Sequence, residues 1–192
     1  ARPERAYSEV WNDLPYLIKQ PEVIALGEIG AWRDHRDHWE LFDRQVEIGL
    51  AYDGPMPLIV TPPKDFRVNM TCKMMDRLKS MGYPPDEVMI NRVGFELIET
   101  VLHEGFCVGI SVGASNLPPR KTATVIAEVI ETRGGPERII FNTSLSAGTA
   151  DVLGIPKTVV ELREIGVNSR IIEKLIYGNA KACFLREQYS IQ

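Results

Sequence analysis

The chain has 192 residues, 44% hydrophobic and 25% charged, the make-up of a globular domain rather than a disordered or fibrous one. Its formal net charge of −4 offers no basic surface to a nucleic-acid backbone, so nucleic acid is not expected as a partner. Cys72, Cys107 and Cys183 are odd in number and show no CxxC spacing, which excludes a disulfide framework and points to a reducing, cytoplasmic setting.

The chain opens at Ala1 in a stretch that reads as a helix, Pro3 to Ile18, which suggests processing or a missing upstream part. Pro21 stops that helix before the strand Val23 to Ile29. The polar cluster Arg33 to His38 leads into a helix through Leu50, with Asp34 placed to cap it. A strand over Pro57 to Thr61 is halted by Pro62 and Pro63 and followed by a helix over about 69–81. Val88 to Asn91 reads as a strand and Phe95 to Glu104 as a helix. Phe106 to Val112 is a further strand, in which a buried Cys107 is expected. The helix Lys121 to Thr132 is broken by Gly134-Gly135-Pro136, which releases the strand Arg138 to Asn142. Two helices close the chain, about 157–165 and 169–177. No stretch approaches the roughly 20 apolar residues of a membrane helix, and no signal peptide opens the sequence, so no membrane association is expected.

Five short strands, each followed by a helix, predict an α/β fold with a parallel sheet, because parallel neighbours need a crossover and every crossover here is helical. The strands are apolar runs rather than alternating ones, so both faces are buried. A barrel wall and a doubly wound sheet satisfy this pattern equally well. No linker divides the chain, and a single domain over residues 1–192 is expected.

Local sequence separates the two. Ile24-Ala25-Leu26-Gly27-Glu28-Ile29-Gly30 is similar to the A-x-GEIG strand of the TatD-related metal-dependent hydrolases of the amidohydrolase superfamily. Pro57 to Pro62 is similar to that family's P-V-I-V-H-T-P, Gly105 to Gly109 to its G-F-W-V-G, and Pro136 to Ile140 to its P-E-R-I-I. Asp151 to Lys157 follows its D-P-L-A-V-P-K and Tyr177 to Ala180 its Y-x-N-P/A. The resemblance implies a (β/α)₈ barrel represented by its last five strands, with the first three, including the H-x-H metal strand, lacking a counterpart.

The resemblance also implies a metal site at the carboxyl ends of the strands. Glu28 matches a ligand of that site. Val60 stands where the family has a histidine, Asn91-Arg92 where it has Asp-His, and Ser144 where it has the aspartate of the last strand. Three ligand positions are thus replaced, and an arginine in the same mouth repels a cation. No resident cofactor is expected on this count, and a divalent zinc or manganese ion is the alternative. Two histidines, His35 and His38, lie three apart shortly after the Glu28 strand and could rebuild a metal site with it, or simply sit at a solvated first turn. Thr61, Asn91, Arg92, Asn142 and Ser144 would line a polar mouth able to hold a small anionic ligand. Ser111, Ser144 and Ser146 have no histidine and acid partner for serine hydrolysis.

Two functions follow as expectations. One is a catalytically degenerate barrel protein with no catalytic residues, acting as a binding or structural subunit. The other is a metal-dependent hydrolase of phosphoester or amide bonds. In both, the open sheet edges at Val23 to Ile29 and Ile139 to Phe141 call for another protein chain or a second copy to complete the barrel.

Overall fold

The computed structural model describes residues 13–51, 56–113, 117–143 and 151–185. Five strands alternate with helices in an α/β arrangement, and the pairings between strands are parallel. The fold is that of a partial (β/α) barrel of the TIM type. The chain divides into two compact units, one ending at Val88 and the other beginning at Met89. None of the helices among the described residues is long and apolar enough to cross a membrane.

In the first unit, β1 (Leu26–Ile29) pairs with β2 (Leu58–Val60), and each is followed by a helix, α1 (Arg36–Leu50) and α2 (Arg67–Ser80). The apolar faces of the two helices supply Phe42, Val46, Met74 and Leu78, all fully buried with Leu58 and Val60 of β2. Each such side chain contributes on the order of 1.5–3 kcal/mol by leaving water. Gly49 of α1 keeps a space for Tyr83: a Cβ there would lie 2.7 Å from the Tyr83 hydroxyl, which donates to the Met56 carbonyl. On the outer surface the helices are clasped by polar pairs. Arg77 binds Asp43 through both Nε and Nη2, and its guanidinium lies 5.6 Å from the Trp39 ring centroid.

The second unit carries β3 (Val88–Ile90, from Met89 on), β4 (Cys107–Ser111) and β5 (Ile139–Asn142), with α3 (Ile98–His103) and α4 (Pro119–Arg133) as crossovers. The register runs Ile90↔Val108 and Val108↔Ile139 through to Ser111↔Asn142. Every residue of β4 is buried, as its unbroken apolar run requires, and Cys107 is among them. Gly134, left-handed at φ 77°, ends α4 where the Gly-Gly-Pro signal placed the break. The chain continues through α5 (Gly154–Glu164) and α6 (Ser169–Glu173), a π turn over Lys174–Gly178, and α7 (Asn179–Phe184).

Strand bounds fall within a few residues of expectation, and three helices differ instructively. Residues 95–97 form a 3₁₀ turn before α3 rather than its first turn. The expected helix over 157–165 begins at Gly154, because Pro156 sits in the first turn, where a missing N–H costs nothing. The last helix does not end near Tyr177: Gly178 takes ordinary helical angles, φ −59° and ψ −42°, and the chain passes through the π turn into α7. The expected helix over Pro3 to Ile18 lies mostly outside the described residues, which are helical over 13–17.

Two side chains fasten the second unit at the amino end of β5. Asn179 of α7 is buried and donates to the carbonyls of Pro136 and Ile139 at 2.7 and 2.8 Å. Arg138 donates to Gly105 and Leu102 carbonyls at 2.8 and 3.1 Å, satisfying acceptors at the end of α3. Replacing Asn179 with Ala leaves two buried carbonyls without that donor. It should lower unfolding free energy by about 2 kcal/mol in urea titrations, whereas Lys181→Ala on the exposed face of the same helix should leave it nearly unchanged.

Candidate functional site

Within each unit, the described polar residues singled out in the strands and just past them stand toward the strands' carboxyl ends. In the first unit, Gly27 pairs with Ile59 and Ile29 with Val60, so Glu28 is the residue left over, a bulge. The bulge takes Glu28 out of the regular ladder and leaves it exposed between two buried residues, Leu26 and Ile29, on either side of Gly27-Glu28. Both glycines of the Gly-Glu-Ile-Gly motif are demanded by the neighbouring strand. A Cβ on Gly27 would lie 2.6 Å from the Ile59 Cβ, and one on Gly30 would lie 2.5 Å from the Thr61 carbonyl oxygen. Thr61 follows β2, is 1% exposed, and donates its backbone N–H to Ile29 at 2.8 Å.

His35 and His38 occupy different environments. His35 is extended, at φ −137°, and caps α1: its Nδ1 accepts from the Asp37 N–H at 3.4 Å. His38 lies inside the first turn and is half-buried. The capping role expected of Asp34 therefore belongs to His35. Asp34 instead accepts from the Trp39 indole at 2.9 Å and from the Lys73 ammonium of α2. A charge-assisted partner on the next helix outcompetes a neutral backbone N–H. The Lys73 hydrogen bond, then the Trp39 hydrogen bond, hold the Asp34 carboxyl below its ordinary range.

In the second unit Asn91, Ser111 and Asn142 form one network across three adjacent strands. The Ser111 hydroxyl donates to Asn142 Oδ1 at 2.7 Å, and Asn142 Nδ2 donates to Asn91 Oδ1 at 3.0 Å. Asn91 Oδ1 also accepts the Arg92 backbone N–H at 2.9 Å. The amide bridge from β3 to β5 passes over β4 at Gly109, where a Cβ would lie 2.9 Å from Asn91 Oδ1 and 3.1 Å from Asn142 Nδ2. Arg92 follows in the left-handed region, at φ 54°, a conformation with a cost for any residue but glycine. Ser144 lies outside the described residues.

These donors do not match a divalent ion. Asn91 Oδ1 already takes two hydrogen bonds and Asn142 Oδ1 takes one, so neither oxygen can ligate without leaving a buried donor unmet. Among the described residues no three His, Cys, Asp or Glu side chains converge. What the second unit presents is a neutral amide and hydroxyl surface next to one arginine, suited to hydrogen-bonding a ligand. Asn91 and Asn142 stand at strand ends, where the apolar runs before them place them. Ser111 carries no local signal of such a role, and its register with Asn142 is what places it in the network.

No family model matches the chain. It is 26% identical over 171 residues to an uncharacterized metal-dependent hydrolase of Methanocaldococcus jannaschii, covering 89% of this chain and 65% of the relative. It therefore spans just under two thirds of that relative's length. A TatD-like protein from Archaeoglobus fulgidus matches in structure with a TM-score of 0.63 at 22% identity, over 88% of this chain and 64% of the other. A TatD homologue from Escherichia coli K12 matches with a TM-score of 0.66 at 19% identity, over 92% and 70%. The phosphotriesterase of Mycobacterium tuberculosis shares the fold more distantly, with a TM-score of 0.56 at 14% identity, over 68% and 46%. The chain is similar to TatD-like proteins and shares their fold over the part of their length that it covers.

Two outcomes are expected. Gly109→Ala, which pushes a methyl group into the amide bridge, should cost about 1–3 kcal/mol in urea titrations. The same change should cost less in an Asn91→Ala background, where the obstructed amide is gone; additive losses would mean that the bridge is not what Gly109 accommodates. In NMR titrations Lys73→Met should raise the Asp34 midpoint toward the ordinary carboxyl range. Because the folded-state value is depressed, the contribution of this pair to stability is present above the unfolded-state value and lost as pH falls.

Proposed function

We propose that this TatD-related chain is a catalytically degenerate barrel segment working as a binding or structural subunit, completed by another protein chain or by a second copy of itself. The observation that carries the reading is the Asn91–Asn142–Ser111 network. At the position where the resemblance leads to an Asp-His pair, the chain has a neutral amide committed to its neighbours, followed by Arg92. The completion half of the reading rests on the sheet: β1 and β5 each have one paired neighbour among the described residues, leaving an outer row of backbone donors and acceptors. On this reading the protein is cytoplasmic and uses no resident metal, and its ligand is small and polar, held by Thr61, Asn91, Arg92, Asn142 and Ser144.

A second reading is favoured by Glu28. Its carboxylate is exposed on a bulge that two obligatory glycines maintain, as a ligand position would require. With His35, His38 or ligands from a partner chain it would form a zinc or manganese site for hydrolysis of phosphoester or amide bonds. The relative from Methanocaldococcus jannaschii, described as a metal-dependent hydrolase, supports keeping this reading.

Native mass spectrometry with elemental analysis on the same sample, isolated without chelators, separates the two. The first reading expects a metal-free assembly of more than one chain. One or two zinc or manganese ions per chain, lost in Glu28→Ala, would replace it with the second. A monodisperse monomer at micromolar concentration would overturn the completion half of the first reading.

A further inference from the structure

The loops that follow β1 and β2 in the first unit enclose a cleft of about 570 Å³, within the range of small-molecule sites. Trp32, Arg33, Asp34, Asp65, Phe66 and Asn69 are among the residues that line it. Its aromatic walls do not serve the core, since Trp32 is 53% exposed and Phe66 is 83% exposed. Phe66 also holds a left-handed backbone, φ 55° and ψ 28°, at the start of α2. That conformation is unfavourable for a bulky side chain, and burial of the ring does not offset it here. A folding role explains neither feature.

The charged and polar groups of the cleft are of two kinds. Asp34 is already engaged by Lys73 and Trp39, which neutralises it. By contrast, among the described residues the side chains of Arg33, Asp65 and Asn69 enter no hydrogen bond or ion pair. The cleft therefore presents two exposed rings with one available guanidinium, one available carboxylate and one available amide.

We propose that this cleft binds a small zwitterion with an aromatic body, chemically an aromatic α-amino acid. The ligand carboxylate pairs with the Arg33 guanidinium and its ammonium with Asp65, while its ring lies against Trp32 and Phe66. A purely anionic ligand would face Asp65 and a purely cationic one would face Arg33; a zwitterion meets both charges. The site lies wholly within the first unit and requires neither a metal nor a completed barrel, so it stands apart from the reading of the strand-end network.

Calorimetric titration of the full chain with L-phenylalanine, 3-phenylpropionate and phenethylamine tests it. L-phenylalanine should bind saturably and more tightly than either analogue, each of which lacks one charge. Arg33→Ala should weaken L-phenylalanine and 3-phenylpropionate on the order of tenfold and spare phenethylamine, whereas Asp65→Asn should weaken L-phenylalanine and phenethylamine and not 3-phenylpropionate. Phe66→Gly, which keeps the left-handed backbone without strain, should weaken all three with a thermal midpoint no lower than that of the wild type. Absence of saturable L-phenylalanine binding up to about 10 mM would overturn the proposal. So would tighter binding of an analogue, or binding unaltered in Phe66→Gly and Arg33→Ala.

Discussion

A parallel strand buried on both faces has room for polar chemistry only where it ends. Its backbone groups are taken up by neighbouring strands, and its side chains meet helices on one face and other side chains on the other. Among the described residues the interiors of β2 to β5 obey that limit: Leu58, Val60, Ile90, Val108, Ile110 and Ile139 are all fully buried and apolar. The polar residues lie at or just past their ends, Thr61 in the first unit and Asn91, Ser111 and Asn142 in the second, while Glu28 sits on the bulge within β1. The helices fix where each strand stops, so crossover packing and placement of the polar residues are one problem. Arg138 and Asn179 act at the opposite, amino end of β5, where they serve stability rather than recognition.

Within that frame the glycines decide what the strand ends can present. Gly27 and Gly30 let β1 approach β2 closely enough to leave Glu28 on a bulge, and Gly109 clears the path by which Asn142 reaches Asn91 over β4. None of these positions needs an unusual φ; each needs the absence of a Cβ. A sequence shows the glycine but not the neighbour that demands it, which is why the Gly-Glu-Ile-Gly motif was readable as a motif while the function of Gly109 was not.

The same distinction runs through the rest of the chain. Strand and helix order was legible because apolar runs and Pro/Gly breaks are local signals, and the family resemblance extended them to a partial barrel. What escaped was set by residues distant in sequence. Asp34 fitted a capping role locally but is drawn away by Lys73 from the next helix, and His35 takes its place. Ser111 gains its role from its register with Asn142. Trp32 and Phe66 gave no periodic signal, since neither belongs to an apolar face, and their shared cleft exists only once two loops are folded beside each other. Gly178 carried a stop signal that the π turn overrides, because helix continuation is decided by what Leu175 and Asn179 bury rather than by glycine alone.

The choice of amides over carboxylates at the strand ends has a consequence for folding itself. A carboxylate or imidazole cluster gathers like charges or competing donors, and it needs a bound ion or an opposite charge from elsewhere in the barrel to offset them. Asn91, Ser111 and Asn142 need nothing beyond three adjacent strands, since each acceptor finds a donor inside the second unit. The hydrogen bonds of this network therefore draw on no ion and on no residue outside the second unit. Glu28 is the contrasting case, a carboxylate set on an exposed bulge of β1 rather than within a network of neutral amides.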